Sequence, residues 1–336
     1  MSKEPHLALY RKYRPSTFGD VVGQEQLVNL LTNSIKQNKI AHAYLFCGGK
    51  GTGKTTVARI FARDIGCNPE DIIEIDAASN RGIDEIRELR EAVRTAPFSS
   101  PYKVYIVDEA HMLTKEAANA LLKTLEEPPS HVIFILATTD PEKLPATIVS
   151  RCQKIIFKQP DIKTLADRLI YVSKKEGKKL SEDTAELIAR HGNGSYRDAL
   201  GILEQVLMRD GEVVEHKVTV SLLGIPEEEL LIKLLNAICT KDAKSVLEVI
   251  STLEREDASA IRAYDSFLEL LRTALLARFD EKATENQLIK ELVSKYPHVI
   301  GSKMVLELLE KRQLLEVSDN HSWTAFTAIL LAILEL

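Results

Sequence analysis

The sequence predicts an α/β fold in which helices cover both faces of a parallel sheet, followed by two helical domains. Apolar, strand-like runs alternate with helical segments between residues 41 and 157, which is the pattern of a parallel sheet with crossover helices. A glycine-rich loop follows the first run and opens a helix. From about residue 161 onward, apolar residues recur at helical spacing and no convincing strand follows.

The predicted strands are short and rich in apolar and β-branched residues, as strands buried on both faces are. They cover 41–47, 71–76, 102–111, 131–139 and 153–157. Helical spacing predicts the intervening helices at 24–39, 53–66, 82–94 and 114–127. The last of these ends before Pro128 and Pro129, because proline cannot continue a helix.

This pattern divides the chain into three expected domains. They are a sheet domain at 1–160, a small helical domain at 161–224 and a second helical domain at 225–336. The final stretch, "SWTAFTAILLAILEL", is apolar on nearly every face, so it is either buried or part of an interface. Trp323, Phe326 and Leu330 lie on one stripe of it, and that stripe fits a domain core and an interface equally well.

Composition excludes several classes of protein. The 336-residue chain has a formal net charge of −5, without the basic excess of a dedicated nucleic-acid binder. It has no apolar run of the roughly 20 residues that a membrane span needs, and the stretch "MSKEPHLALYRKYRP" does not have the apolar h-region expected of a signal peptide. No CxxC pair occurs, so neither a disulfide framework nor a zinc site is expected from the cysteines, which are Cys47, Cys67, Cys152 and Cys239. We expect a cytoplasmic protein with reduced thiols.

A phosphate-binding loop is the most specific local motif. In "GGKGTGKTT" (48–56), Gly48 is followed after four residues by Gly53-Lys54-Thr55, between a predicted strand and a predicted helix; this context indicates a P-loop rather than a turn that binds nothing. Backbone N–H groups of the loop suit phosphate oxygens. Lys54 would reach the β- and γ-phosphates of ATP, and Thr55 would bind Mg²⁺. The expected nucleotide-binding residues here are Gly48, Gly49, Gly51, Thr52, Gly53, Lys54, Thr55 and Thr56.

Two adjacent acids stand at the end of the buried apolar run in "VYIVDEAH" (104–111). Asp108 would hold Mg²⁺, directly or through water, because ligands of open α/β sheets bind at the carboxyl ends of strands. Glu109 could polarise the attacking water, which favours hydrolysis over storage of the nucleotide. Acids at a strand end are often merely solvated, but their combination with a P-loop favours a catalytic role.

Two more positions carry polar groups where such a site needs them. "LATTD" (136–140) ends the next strand, and Thr138 or Thr139 either senses the γ-phosphate or caps the strand end. "GNGSYRDAL" puts Arg197 near the start of a helix in the second domain. From the residues alone, Arg197 is as well suited to an internal ion pair with Asp198 or Glu204 as to the nucleotide.

Taken together, the motifs resemble the clamp-loader ATPases of bacterial DNA polymerase III, the gamma/tau subunits, within the AAA+ superfamily. The similarity covers about 1–225 and includes "YRKYRPSTFGDVVGQ", "LLKTLEEPP", "LATTD", "SRC" and "GSYRDAL". It implies an AAA+ P-loop ATPase domain, a helical lid and a helical collar that mediates oligomerisation. It also implies a motor that hydrolyses ATP with Mg²⁺, opens a sliding clamp and loads it on primer-template DNA during replication. Such a chain belongs to a DNA-directed DNA polymerase holoenzyme but contains no polymerase active site.

The resemblance implies roles for individual residues. Thr139 is similar to the family's sensor 1, although the adjacent Thr138 leaves that assignment open, and Arg197 is similar to sensor 2. Arg151, in "SRC", is similar to the arginine finger. The residues that would line the adenine pocket are Arg14, Pro15 and Val22.

Arg151 lies in "TIVSRCQKI" (147–155), flanked by apolar residues, and no nearby acid is expected to need it. Without the resemblance, the plainest interpretation is a surface arginine bound to a backbone carbonyl. In the family, subunits form an open, ring-like collar of five, and this arginine reaches the γ-phosphate bound by the adjacent subunit. The implied partners are further copies of the chain, delta- and delta-prime-like subunits, the sliding clamp and DNA.

DNA would be held mainly through its phosphates, without sequence specificity. Arg81, at the start of the predicted 82–94 helix, is our candidate contact because it combines a cation with a helix N-terminus. Family members usually carry four cysteines in a zinc-binding insertion, of which only Cys67 is matched here, so no zinc site is expected. Tau-type members also have further domains that this sequence lacks; a naturally short product and a truncated one both stay open.

Three other functions compete with this hypothesis. A non-hydrolysing scaffold like the delta-prime subunit would keep the "SRC" arginine but have a degraded P-loop. A branch-migration helicase would form hexamers whose ATPase activity is indifferent to a clamp. A P-loop kinase would need a pocket for its acceptor substrate, and it leaves Arg151 and the collar unexplained.

Overall fold

The computed structural model of the protein describes residues 7–79, 89, 91–209, 211, 213–255, 258–318 and 321–335. Most of the predicted helix at 82–94, and the predicted DNA contact Arg81, therefore lie outside the described residues. The chain divides into two compact units, Met1–Glu215 and His216–Leu336.

The first unit is built on a five-stranded parallel sheet. Its strands are β1 (Ala43–Cys47), β2 (Ile72–Asp76), β3 (Lys103–Asp108), β4 (Val132–Thr138) and β5 (Gln153–Ile156). They are ordered β2-β3-β4-β1-β5, with every described pairing parallel. The parallel α/β fold predicted from the sequence is confirmed. Because all strands run the same way, their carboxyl ends lie along one edge, where this class of fold binds ligands.

Helices cover both faces of this sheet. The helices of the first unit are α1 (Leu9–Lys12), α2 (Glu25–Lys36), α3 (Lys54–Asp64), α4 (Lys115–Glu126), α5 (Ala146–Val149), α6 (Ile162–Lys175), α7 (Glu182–His191) and α8 (Tyr196–Arg209). Of these, α2 and α3 pack on one face of the sheet and α4 and α5 on the other. Side chains alternate along each strand, so Tyr44 and Phe46 pack with Phe61 of α3 on one face. Leu45 packs with Leu121 of α4 on the other face.

Side-chain caps fix where several of these helices begin. Thr114 Oγ1 accepts the backbone N–H of Ala117 at the start of α4. The Asp161 side chain accepts the backbone N–H of Thr164 at the start of α6, and the Ser181 side chain accepts that of Thr184 at the start of α7. A cap of this kind typically contributes about 1 kcal/mol, and α4 begins at Lys115, close to the start predicted at 114.

The second unit is helical throughout its described residues. Its helices are α9 (His216–Leu223), α10 (Glu228–Cys239), α11 (Ala243–Arg255), α12 (Ala260–Ala277), α13 (Gln287–Lys295), α14 (Ser302–Val317) and α15 (Ser322–Leu334). Phe326 and Leu330 of α15 are fully buried in the core of this unit, and Trp323 packs against the same core. The apolar stripe therefore belongs to the core of this unit, which was one of the two alternatives, the other being an interface.

A buried carboxylate fixes the loop that leads into β3. Asp71, at 1% exposure, accepts backbone N–H groups from Phe98 at 2.6 Å and from Ser99 at 3.1 Å. Burial by itself would raise the pKa of Asp71, but the hydrogen bonds from Phe98, Ser99 and Ser100 outweigh it, and the pKa lies below its ordinary value. Nearby, burial and then the Asp71 charge raise the pKa of the Cys67 thiol to about 11, and Cys67 Sγ donates to Tyr102 O.

Replacing Asp71 with asparagine is expected to cost roughly 1.5–3 kcal/mol of unfolding free energy, because one of the two charge-assisted hydrogen bonds loses its acceptor and the other loses its charge. Since the folded pKa of Asp71 is lowered, its contribution is complete above the unfolded pKa near 4 and disappears as pH falls through the lower folded value. Denaturant unfolding followed by circular dichroism at pH 7 and near pH 3 measures this. Asp161→Asn, at an exposed helix cap, is the control and should lose less unfolding free energy. A stability difference between Asp71→Asn and the wild type that is as large near pH 3 as at pH 7 would contradict this role of the Asp71 charge.

Within the described ranges, no helix combines the length and apolar character needed to cross a membrane.

Candidate functional site

The glycine-rich loop joins β1 to α3 at the carboxyl edge of the sheet. Gly48 N–H donates to Thr138 O of the neighbouring strand at 3.2 Å. A Cβ at Gly48 would lie 2.6 Å from Phe157 Cβ, so only glycine fits beside the end of β5. Gly53 precedes α3 with φ of 100°, a conformation that favours glycine. The first backbone N–H groups of α3 are thereby aimed out of the loop, as a phosphate site requires.

Lys54 is buried inside this loop. Its Nζ donates to Gly48 O at 2.8 Å and to Gly49 O at 2.9 Å. Burial lowers the pKa of Lys54, while the charges of Glu109 and Asp108 act in the opposite direction. The ammonium group is therefore anchored on the carbonyls of the loop, within the electrostatic influence of the two acids.

Asp108 and Thr55 meet across the ends of β3 and α3. Thr55 Oγ1 donates to Asp108 Oδ2 at 2.7 Å, so a hydroxyl and a carboxylate lie together. These oxygens fit Mg²⁺, which proteins bind through one or two carboxylates together with phosphates and water. Among the residues that the structure describes, no group of three or more His, Cys, Asp or Glu side chains could hold a metal ion, so ligands from phosphate and water would have to complete the shell.

Glu109 follows in a left-handed conformation, with φ of 47°. Its N–H donates to Asp108 Oδ1 at 3.0 Å, and Thr139 Oγ1 donates to its Oε2 at 3.3 Å. Thr138 is fully buried and its hydroxyl accepts the backbone N–H of Asp140 at 3.0 Å. The two threonines thus face different surroundings, and Thr139 is the one in contact with the Glu109 carboxylate.

A cavity of about 520 Å³ opens between the loop, the ends of β2 and β3 and the start of α8. Most of the residues predicted to bind nucleotide line it, namely Arg14, Pro15, Val22, Gly51, Thr52, Gly53, Lys54, Thr55, Thr56, Asp108, Glu109 and Arg197. Gly48 and Gly49 instead hold Lys54 through their carbonyls. Thr139 and Arg151 are not among the lining residues.

Arg197 contributes to the cavity from the start of α8. Its guanidinium carbon lies 5.9 Å from the centroid of the Tyr10 ring, while the adjacent Asp198 lies 3.8 Å from Lys50 Nζ. Burial lowers the pKa of the half-buried Arg14, and so do the charges of Arg59 and Arg197, against an opposing effect of Glu74. This concentration of cations suits a polyanion such as a triphosphate.

The sequence motifs missed several residues that line the cavity. Tyr196 OH donates to Val22 O at 2.9 Å, and an Arg168 nitrogen donates to Tyr13 O at 2.7 Å. These contacts fasten the chain before α2 to the helices α6 and α8. The alternation of aromatic and basic residues in "LYRKYRP" (9–15) was the available signal. The lining residues missed include Tyr10, Tyr13, Asp20, Val21, Arg59, Glu74, Arg168 and Tyr196.

Gly51 connects the phosphate loop directly to α8. Its carbonyl accepts the backbone N–H of Tyr196 at 3.1 Å, and its φ is 70°. A Cβ at this position would lie 1.9 Å from Ser195 Oγ, and Ser195 is itself buried. Loop and helix therefore touch at a point where a side chain has no room.

Gly51→Ala is expected to destabilise the protein and to weaken ATP binding, because it adds a collision with Ser195 to an unfavourable φ. Gly177→Ala is the matched control, because the φ of Gly177 is 76° and nothing lies within 4 Å of the added Cβ. Its unfolding free energy should fall only by the about 1–2 kcal/mol that a left-handed backbone conformation costs a residue with a Cβ. Thermal unfolding and ATP-binding titrations measure both variants. Equal losses in the two would mean that the contact with Ser195 is unimportant.

Arg151 lies just after α5, away from the cavity. One terminal nitrogen donates to Thr147 O at 2.6 Å and the other contacts Glu126 Oε1 at 2.5 Å. The expectation that no nearby acid needs this arginine is wrong, because the fold brings Glu126, at the end of α4, beside it. The expected backbone carbonyl contact is present as well. About a third of the Arg151 side chain stays exposed, so it remains accessible from outside the chain.

Comparison with known proteins gives a consistent set of relatives. A family profile described as "DNA polymerase III, delta subunit" matches residues 23–82 and 68–161. The chain is 34% identical to DNA polymerase III subunit gamma of Buchnera aphidicola over 362 residues, covering 98% of both chains. It is 37% identical to subunit tau of Bacillus subtilis, covering 94% of this chain and 61% of that protein. For subunit tau of Escherichia coli the identity is 39%, and the coverage is 72% of this chain and 41% of that protein.

The chain therefore spans only part of the length of the tau relatives that it matches. Among solved structures, the Thermotoga maritima RuvB Holliday junction branch migration motor aligns with a TM-score of 0.54 and 21% identity, covering 67% of this chain and 79% of that chain. Likeness at this identity shows the fold alone, and it agrees with the parallel sheet covered by helices that the sequence predicts.

Proposed function

Since this chain belongs to the family of DNA polymerase III gamma and tau subunits, we propose that it is an ATP-hydrolysing subunit of a clamp loader. It would open a sliding clamp and load it on primer-template DNA during replication. The observation that carries the proposal is that Lys54, Thr55, Asp108 and Glu109 lie together at one edge of the sheet, in a cavity that Arg197 of α8 also lines. This set combines a phosphate cradle with a carboxylate placed to activate water.

The chain's own residues divide the work of hydrolysis. The N–H groups of the loop and Lys54 bind phosphate oxygens, while Arg14, Pro15 and Val22 enclose the base. Thr55 and Asp108 would hold Mg²⁺, which supplies positive charge to the phosphates as they react. Glu109 would accept a proton from the attacking water, so that ATP and water give ADP and phosphate.

Two residues would link this chemistry to the rest of the protein. Thr139, as sensor 1, would orient the Glu109 carboxylate through the hydrogen bond to Oε2. Arg197 lies on α8 and, as sensor 2, would bind the phosphates of the nucleotide. It would thereby couple the nucleotide to the helical lid, which we place at residues 161–224. The Tyr196 N–H to Gly51 O bond supports this link, because α8 already touches the phosphate loop.

Assembly with other subunits is part of the proposal. Arg151 would act as an arginine finger on the ATP bound by a neighbouring copy, and residues 225–336 would form the oligomerisation collar. Within the second unit, α14 supports a contact of this kind, because it buries one face and leaves apolar side chains on another. These exposed residues are Leu306, Leu309, Leu314 and Val317.

The alternative functions fit the residues less well. A scaffold like delta-prime does not need an intact Lys54 and Thr55 beside Asp108 and Glu109. The branch-migration motors share the fold at 21% identity, and that likeness carries no argument about substrate. A kinase leaves Arg151 and the second helical unit without a role.

The direct test measures ATP turnover of the chain assembled with delta- and delta-prime-like subunits, with and without the clamp and primed DNA. We expect stimulation by both, and loss of turnover in Lys54→Ala. Arg81 remains a prediction from the sequence: Arg81→Ala should lose stimulation by primed DNA and keep basal turnover. ATP turnover that is the same with and without the clamp and primed DNA would contradict the clamp-loader proposal.

A further inference from the structure

We propose that His111 is a positioning residue that holds the Glu109 carboxylate in its working orientation. The inference rests on the proposed ATPase function, because it concerns the base of that reaction. His111 lies in the short turn Ala110–Met112 directly after Glu109. Its Nδ1 lies 3.0 Å from Thr138 Oγ1 and 3.5 Å from Glu109 Oε2.

The imidazole is attached to a rigid part of the sheet. Thr138 ends β4, is fully buried, and its hydroxyl is fixed by the Asp140 N–H. The position of the His111 side chain is therefore set by its contact with the neighbouring strand β4 as well as by its own turn. Its side chain is only 11% exposed, so water competes little for Nδ1.

Two side chains converge on a single carboxylate oxygen. Thr139 Oγ1 donates to Glu109 Oε2, and His111 Nδ1 approaches the same oxygen from the side of Thr138. With Oε2 bonded to Thr139 and His111 Nδ1 3.5 Å from it, Oε1 is left to meet the attacking water. Orientation of this kind matters because a displacement of about 1 Å in a reacting group costs on the order of 100-fold in rate.

The surroundings also select the hydrogen position on the ring. One neighbour of Nδ1 is the Glu109 carboxylate, which only accepts hydrogen bonds, and the other is the Thr138 hydroxyl, which both donates and accepts. The Thr138 hydroxyl can pair with either form of Nδ1, but a hydrogen on Nδ1 is attracted to the carboxylate, whereas a lone pair there would face the Glu109 charge. His111 thus acts as an N–H donor, and a side chain that places an N–H near Nδ1 should replace it. Asparagine does so, while glutamine reaches the position of Nε2 instead.

The experiment compares His111→Asn, His111→Gln and His111→Leu in the assembled, ATP-hydrolysing complex. We expect His111→Leu and His111→Gln to lower kcat by about 10- to 100-fold, with ATP affinity and unfolding temperature near the wild type. His111→Asn should keep most of the turnover. His131→Leu, at a histidine whose Nε2 contacts Thr95 O far from the cavity residues, should leave turnover unchanged.

A second arm separates positioning from general structural damage. In a Glu109→Gln background the His111→Leu change should cause almost no further loss, because residues that act as a unit are non-additive. Unchanged or increased kcat in His111→Leu overturns the inference, and so does an equal loss in the asparagine and leucine variants. If leucine prevents folding, the asparagine and glutamine pair carries the comparison alone. If the wild type itself shows no turnover above Lys54→Ala, it is the ATPase proposal that fails.

Discussion

Replacing Arg151 with alanine is expected to lower ATP turnover of the assembled complex by about 10³–10⁵-fold, the usual worth of an arginine that stabilises charge developing on a transferred phosphoryl group. ATP binding should be almost unchanged, because Arg151 is not among the residues that line the cavity of its own chain. Arg190→Ala, at an exposed arginine with an i,i+4 contact to Glu186, is the control and should leave turnover intact. Steady-state turnover and ATP-binding titrations separate the two effects.

Mixing variants tests whether Arg151 acts on a neighbour. Lys54→Ala loses its own nucleotide site but keeps Arg151, and Arg151→Ala has the opposite defect. After subunit exchange, with clamp, primed DNA and partner subunits present, the mixture should recover part of the turnover that each variant lacks. A mixture that stays inactive despite proven exchange means that Arg151 acts within its own chain.

The contact with Glu126 makes a third variant informative. Glu126→Gln keeps the size of the side chain and removes the charge that Arg151 meets in this structure. If Arg151 serves only to hold α4 and α5 together, Glu126→Gln should reproduce the loss seen in Arg151→Ala. If Arg151 serves a neighbour's phosphate, the loss in Glu126→Gln should be far smaller, since an exposed ion pair contributes at most about 1 kcal/mol.

The sheet could be predicted from the sequence because its information is local. Each strand is a short apolar run with its own turn signals, and the phosphate loop lies within nine consecutive residues, 48–56. The strand and helix periodicities are properties of adjacent residues. Parallel pairing then follows, since strands separated by helices run in the same direction.

The pairing of Arg151 with Glu126 could not be predicted, because the two residues are 25 positions apart and meet only when α4 and α5 pack. The choice between Thr138 and Thr139 has a similar cause. Both are threonines at the end of one strand, and successive side chains of a strand point to opposite faces. Which of the two faces Glu109 depends on where β3 and β4 end, and that is fixed by the pairing of the strands.

Close approaches between separate segments are also beyond sequence patterns. Gly51 is recognisable as part of a P-loop, but the sequence does not reveal that Ser195 leaves no room for a Cβ there. Gly51 and Ser195 belong to two different predicted domains, 1–160 and 161–224. The missed cavity residues have the same origin, since Arg168 and Tyr196 reach the chain before α2 from α6 and α8. Such contacts are created by folding and leave no periodic signal.

Glu109→Gln is expected to lower turnover by about 10²–10⁴-fold, the usual contribution of a positioned general base. Glutamine keeps the shape of the side chain, and its amide can still contact Thr139, but it cannot take a proton from water. ATP binding should therefore survive, which distinguishes this variant from Lys54→Ala, where binding itself is lost. Glu116→Gln, on the exposed first turn of α4, is the control and should behave like the wild type.

The pair of carboxylates makes this outcome diagnostic. Asp108 contacts the Thr55 hydroxyl and would hold the metal, whereas Glu109 contacts Thr139 and would act on the water. Asp108→Asn should accordingly raise the Mg²⁺ concentration needed for turnover, while Glu109→Gln should lower kcat at any Mg²⁺ concentration. If Glu109→Gln instead loses ATP binding, or keeps wild-type turnover, the base must be another group and the division of roles between the two acids is wrong.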